Sequence, residues 1–264
     1  ISFIMKYEGL PFVEAVRHLI EKYEVKTNGN NHKNAESKTM SQAAFQEEEF
    51  DIFTPEVQSG LNRYADNCVS NLRINTEPVN YLMKRNIVQG ELIEEFKIGF
   101  SDGAILSRIP EDDTETLEIL RKAGLIIVNP SRPLRASQEL FKNCIVFPII
   151  DENGLIHSFY GRCMDHSRES RHFNAGGRLR GLYNPRALIV KEIYLCESII
   201  DALSLMTLGF RNVTCSYGVN GFTEEMLQKF EEADIKKVTF CFDADKAGLK
   251  ATEVIAERLK VKNI

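Results

Sequence analysis

Nowhere in these 264 residues do about 18 apolar side chains run consecutively, which is the length a bilayer core demands of a helix. No membrane span is predicted, no membrane partner is expected, and no signal peptide opens the chain. The sequence also lacks any Cys-x-x-Cys pair. Its six cysteines, at 68, 144, 163, 196, 215 and 241, match neither zinc nor dithiol redox spacing. Cys163, His166 and His172 fit no zinc pattern and lie among basic residues, so no metal centre is expected there. Several cysteines sit in apolar runs, which predicts buried, reduced thiols in a cytoplasmic protein. A surplus of positive charge is missing too: 33 Lys and Arg against 38 Asp and Glu leave a net charge of −5. That excludes a uniformly basic nucleic-acid binder, so any polyanion contact must come from a local patch.

The length suits one large or two small domains. Residues 11–23, with Pro11 in the first turn and Phe12, Val16, Leu19, Ile20 and Tyr23 on one stripe, read as an amphipathic helix. From Lys26 to Glu49 there is no Val, Ile or Leu, and residues 26–52 are expected to be a flexible linker. Thr54-Pro55 then signals a cap and a first turn, and Val57, Leu61, Tyr64, Ala65, Cys68 and Leu72 follow on one face. Further helices are predicted near 76–85, 89–96 and 113–123, and a β-hairpin over 144–150 and 155–161 around the turn Asp151-Glu152-Asn153-Gly154. After Lys191 strands near 193–196, 211–216 and 237–242 alternate with helices. That alternation implies right-handed crossovers and a parallel sheet, an α/β architecture.

Two of those strands end in acid. Asp243-Ala244-Asp245 closes the run Val238–Phe242, and Glu197 closes Ile193–Cys196. Carboxylates one residue apart in extended backbone face the same way, and a hard cation such as magnesium takes oxygen ligands. A lone Asp-x-Asp would more often cap the helix beginning near Lys246. A second acid beyond the carboxyl end of a neighbouring strand turns the pair into a pocket. Between Gly161 and Lys191 stand Arg162, Arg168, Arg171, Arg178, Arg180, Arg186 and Lys191 against only Asp165 and Glu169, interleaved with Phe173, Asn174, Gly176-Gly177 and Tyr183. Charge runs are usually solvated faces. Here the run adjoins the acidic strands, and cations beside a metal pocket meet the needs of phosphoryl transfer on nucleic acid.

The segment Ile193–Leu259 resembles a TOPRIM domain, the magnesium-binding module of bacterial-type primases, topoisomerases and some nucleases. The resemblance is carried by the strand ending in Glu197 with Asp201 four residues on, by Ser216-Tyr217-Gly218, and by Phe242-Asp243-Ala244-Asp245-Lys246-Ala247-Gly248. Upstream, Phe147-Pro148-Ile149-Ile150-Asp151 through Phe159-Tyr160-Gly161-Arg162, then Arg171-His172-Phe173-Asn174 and Gly181-Leu182-Tyr183, resemble the catalytic core of DnaG-like primases. Asn80–Arg85 with Phe96–Phe100 is similar to the helical start of that core, and Ile1–Phe12 to the tail of its zinc-ribbon domain. The chain departs from the pattern at Ser198, where Gly is usual, at Cys144, where a basic residue is expected, and in a short stretch between Asn174 and Gly181. These departures, an Ile at position 1 and an end at Ile264 suggest the core fragment of a divergent, plasmid or mobile-element type primase.

The resemblance implies a zinc-ribbon tail over 1–25, a mainly helical primase subdomain with the hairpin over 53–186, and a C-terminally incomplete TOPRIM domain over 187–264. It implies magnesium- or manganese-dependent synthesis of short RNA primers from ribonucleoside triphosphates on a single-stranded DNA template, beside a replicative helicase. Zinc would belong only to an N-terminal domain absent from this sequence. Glu197, Asp243 and Asp245 would hold the metal and Asp201 would orient Glu197. Arg162, Arg171, Asn174, Arg178, Arg180 and Tyr183 would contact nucleic acid or nucleotide. A TOPRIM nuclease and a catalytically weak single-stranded-DNA-binding module are the alternatives.

Overall fold

At Thr54 the backbone is extended and the side-chain hydroxyl accepts from the Val57 N–H, so the first orphan donors of the following helix are satisfied. The structure is a computed structural model that describes residues 50–264 apart from 88, 89, 130, 169, 178 and 179. The expected helix at 11–23, the zinc-ribbon tail and the linker up to 49 lie outside the described residues.

Helix α1 (Pro55–Ile74) buries Leu61, Tyr64, Ala65, Cys68 and Leu72 on the predicted stripe. Short helices α2 (Thr76–Met83) and α3 (Gly90–Glu95) follow, then strand β1 (Gly99–Ser101). β1 lies so close under α1 that a Cβ on Gly99 would stand 2.5 Å from the Cys68 carbonyl carbon. α4 (Ile105–Arg108) and α5 (Thr114–Lys122) complete the helical part, and two-residue strands β2 (Ile126–Ile127) and β3 (Gln138–Glu139) pair with each other.

The hairpin forms as β4 (Cys144–Ile150) and β5 (Ile156–Cys163), with Ile145 opposite Arg162 and Phe147 opposite Tyr160. Asp151 closes its turn by accepting from the Asn153 and Leu155 N–H groups, both at 2.9 Å. It does not stand alone: β1 and β6 (His172–Asn174) flank it in a four-stranded antiparallel sheet, order β1-β4-β5-β6. Both flanking strands have three residues, too few to show a period of two. The alternation separates two faces. Cys144, Val146, Phe159 and Cys163 pack toward α1 and α5. Ile145, Phe147 and Tyr160 pack in one cluster with Ile199, Leu203 and Met206 of the second half.

That half runs β7 (Glu192–Cys196), α6 (Ile199–Thr207), β8 (Val213–Cys215), α7 (Glu224–Glu232), β9 (Lys237–Cys241) and α8 (Lys246–Val261). The strands are all parallel, in the order β8-β7-β9, with Cys196 in register with both Cys215 and Cys241. Leu195, Phe230, Ile255 and Leu259 fill its second face. All six cysteines are unpaired, and only Cys241 is not fully buried. No described helix is long and apolar enough to cross a membrane.

One buried carboxylate ties the helical part together. Glu139, 1% exposed, accepts from the Ser101 hydroxyl at 2.5 Å and the Leu106 N–H at 3.0 Å. Burial pushes its pKa above the ordinary glutamate range, and donors at Ser101, Leu106 and Ile105 oppose the shift only in part. The folded state therefore holds the Glu139 proton to higher pH than the unfolded state does. Stability falls as pH rises from about 4.3, the ordinary value, and levels off above the raised one. Glu139→Gln should abolish that component. Urea midpoints of both proteins across this window test it, and parallel pH curves would contradict it.

Candidate active site

The acidic residues lie where the parallel strands end. Glu197 follows β7 directly and Asp243 comes two residues after β9. Because Cys196 and Cys241 are paired neighbours, the two chains leave the sheet about 4.8 Å apart. Glu197 is half-buried, and its Oε2 is enclosed without a hydrogen-bond partner. Burial, and then the charges of Asp243, Asp245 and Asp201, push its pKa up, against a backbone donor at Asp243. An enclosed carboxylate oxygen with no donor, facing three more carboxylates, is what a divalent cation neutralises. Among the described residues no group of three or more His, Cys, Asp or Glu side chains is arranged to hold a metal ion.

Asp245 keeps an extended backbone, but the Asp-x-Asp stretch does not prolong the strand as a straight run. β9 stops at Cys241, the chain bends at Ala244 and Asp245, and both aspartates are exposed. Asp245 caps α8, its Oδ1 accepting from the Gly248 N–H at 2.8 Å. The capping reading is thus correct for Asp245, and Oδ2 carries its remaining capacity. Gly248 also lets α8 approach the acidic loop, since a Cβ there would sit 2.1 Å from the Asp243 carbonyl oxygen.

Asp201 does not hydrogen-bond Glu197. Its Oδ2 accepts from the Ser198 hydroxyl at 2.6 Å, and Ser198 Oγ accepts from the Asp201 N–H at 3.3 Å, a reciprocal cap at the start of α6. The serine at the departure from the usual glycine thereby anchors Asp201, which reaches Glu197 through charge alone. From the turn after β8, the Gly218 N–H donates to the Glu197 backbone carbonyl at 2.7 Å. Left-handed φ angles at Tyr217 (60°) and Gly218 (105°) make that turn, and Gly218 adopts such a φ without the cost a Cβ brings.

The β5–β6 register sets Arg162 opposite His172 and Tyr160 opposite Asn174, so four polar side chains share one face. The Tyr160 hydroxyl bonds His172 Nδ1, and Arg162 Nη1 bonds His172 Nε2. Arg162 Nε, Asn174 Oδ1 and the Tyr81 hydroxyl are buried without partners. Burial raises the pKa of Tyr160, and its ring packs with Ile199 and Leu203, which sets this face beside α6. Arg171 donates from Nε to the Cys163 carbonyl at 3.5 Å.

Two expected contacts fall elsewhere. Tyr183 is 1% exposed and stacks on Phe96 with centroids 5.0 Å apart, so it is a core side chain and not a platform for nucleic acid. Its basic neighbours in sequence suggest exposure, but burial of a large ring outweighs the character of its neighbours. Arg180 lines a cavity of about 270 Å³ with Lys122, Phe50 and Phe159. Phe159 points to the sheet face opposite Tyr160, so Arg180 does not prolong the Arg162 row. Arg178 lies outside the described residues. Sequence reasoning missed Tyr81, Tyr160 and His172 as members of this face. A three-residue strand at 172–174 was the signal that would have aligned the last two with Arg162 and Asn174.

Comparison with known proteins agrees with this geometry. Residues 64–178 match the family "DNA primase catalytic core, N-terminal domain" and residues 194–264 match "Toprim-like". A DNA primase of Clostridium acetobutylicum is 29% identical over 264 residues, covering 96% of this chain and 41% of that protein. The chain therefore spans less than half the length of this curated relative. The crystal structure of the Aquifex aeolicus primase zinc-binding and RNA polymerase domains shares the fold, with TM-score 0.70, 21% identity, and coverage of 100% of this chain and 62% of that one. So does a DnaG primase catalytic domain bound to single-stranded DNA, with TM-score 0.64, 22% identity, and coverage of 77% and 68%. With an acidic pocket at the ends of a parallel sheet, an antiparallel basic face beside it and both halves matched in order, the chain belongs to the DnaG-like primase catalytic cores with a Toprim domain.

Proposed function

We propose that this chain is the nucleotidyltransferase core of a DNA primase, which makes short RNA primers on single-stranded DNA. The observation that carries the reading is the juxtaposition across α6. Tyr160 packs in one cluster with Ile199 and Leu203 of α6, and the first turn of that helix carries Asp201 just after Glu197, which sets the acidic pocket next to the Arg162–Asn174 face. Magnesium, held by Glu197, Asp243 and Asp245, would supply Lewis acidity and neutralise charge between a 3′-hydroxyl and a triphosphate. The Gly218 N–H holds the backbone of Glu197 through its carbonyl, and the charge of Asp201 adds to the repulsion that a bound cation would relieve. Arg162 offers its unpartnered Nε–H to a phosphate oxygen, and Asn174 offers Oδ1 to a base or sugar donor. Ribonucleoside triphosphates as substrates and a replicative helicase as partner are carried from the primase resemblance. The single-stranded template draws support from the similarly folded DnaG domain bound to such DNA.

Incubating the chain with single-stranded template, magnesium and labelled ribonucleotides tests the proposal. Short RNA products are expected. Template cleavage would identify a nuclease, and binding without chemistry a binding module. Arg162→Ala should weaken binding and flatten its salt dependence by about 0.7 in the log–log slope, the share of one phosphate on a single strand. An unchanged slope would return Arg162 to ordinary surface.

A further inference from the structure

The partners of His172 assign its tautomer. Arginine has only donors, so the Arg162 Nη1 that meets His172 Nε2 must donate, and Nε2 must present a lone pair. The imidazole is then neutral, carries its proton on Nδ1, and donates it to the Tyr160 hydroxyl oxygen. The two rings lie 5.9 Å apart at 49°, and Tyr160 is itself packed against Phe147 in the core. A chain of contacts thus runs from the core through Tyr160 and His172 to Arg162. The guanidinium is pinned through Nη1, while its Nε–H is buried with no protein partner. A buried, unpaired, charged donor costs free energy unless an anion completes it.

We propose that His172 is the positioning residue for Arg162: as a neutral imidazole anchored on Tyr160 it aims the guanidinium at a phosphate of the single-stranded template, and its protonation releases that aim. The inference rests on the proposed template-binding function. The charged groups acting on the imidazole are Arg162 from β5 and Arg171 just before β6, and together with burial, the largest cause, they hold its pKa below the ordinary range. Asp201 of α6 acts on Tyr160, and Arg168 lies over the Phe173 ring, 4.6 Å from its centroid. Protonation would remove the acceptor at Nε2 and place a third cation beside two arginines. Gln can replace both contacts without titrating, because its oxygen accepts from Arg162 and its amide donates to Tyr160.

The test uses the 264-residue chain and a fluorescent oligothymidylate at constant ionic strength, at about pH 8 and at a pH below the imidazole midpoint found by NMR, which lies under the ordinary value of about 6.5. Relative to His172→Gln, wild-type affinity should fall several-fold on acidification. His172→Ala should lose about tenfold at the higher pH, on the order of one charge-assisted contact, whereas His172→Gln recovers most of the binding. In an Arg162→Ala background His172→Ala should cost nothing more. Independently of DNA, the NMR titration midpoint of the imidazole should rise in Arg162→Ala. Additive losses, wild-type binding that tightens on acidification relative to His172→Gln, or an unmoved midpoint would each overturn the proposal. Weak binding by Arg162→Ala with unaffected His172→Ala overturns the positioning role alone. Wild-type affinity in Arg162→Ala overturns the template reading of this face and the positioning role with it.

Discussion

Glu197→Gln or Asp243→Asn is expected to cut primer synthesis by more than about a hundred-fold while the chain stays folded. Loss of a residue that only supports a metal ligand typically costs about 10–100-fold, and a direct ligand should exceed that. Each change removes one charge and almost no volume, so the defect would report handling of the cation and not packing. Glu197 is the sharper probe because its Oε2 has no partner and its carboxyl is already destabilised as an anion by burial and by Asp243, Asp245 and Asp201. Removing that charge should leave the metal-free protein as stable as before or more so. Magnesium should raise the melting temperature of the wild type, because it binds only the native pocket, and should do so little or not at all for Glu197→Gln. Full-rate synthesis by either variant, with magnesium the sole divalent ion, would exclude these carboxylates from the chemistry.

Gly248→Ala should damage the same site without touching a carboxylate. The new Cβ would lie 2.1 Å from the Asp243 carbonyl oxygen, so the first turn of α8 and the loop bearing Asp243 and Asp245 must separate by roughly 1 Å to restore ordinary contact. Overpacking of this kind costs about 1–3 kcal/mol, and a misplacement of about 1 Å in a reacting constellation can cost on the order of a hundred-fold in rate. Alanine favours a helix over glycine, so propensity alone would stabilise the variant by about 1 kcal/mol. The steric effect is therefore expected to reverse the sign. Gly90→Ala is the control, since its Cβ would meet nothing within 4 Å. Chemical denaturation and primer synthesis measured together decide the matter. A Gly248→Ala protein as stable and active as Gly90→Ala would show that the loop yields without cost.

What the sequence by itself determined was local. Thr54-Pro55 announces α1 because a hydroxyl and a ring act within one turn. The strand–helix alternation after Lys191 announces a parallel sheet because consecutive parallel strands require crossovers. Acids placed where two such strands end are thereby committed to one edge of that sheet, whatever packs on its faces. The tertiary structure decided everything that depends on which face a side chain takes. β1 and β6 are too short for their periodicity to be read, so only pairing with β4 and β5 reveals them as strands. That pairing brings His172 and Asn174 beside Arg162 and Tyr160. The same folding sends Arg180 to the Phe159 side and buries Tyr183 on Phe96, although Arg180 and Tyr183 stand in the same basic run as Arg162. Asp245 likewise has two readings open in the sequence, ligand and cap, and the structure shows the cap through Oδ1 while leaving Oδ2 without that role. Capping, turns and crossovers are satisfied within a few residues, whereas register and burial are settled only when distant strands meet, and a shift of one residue would turn every side chain to the other face.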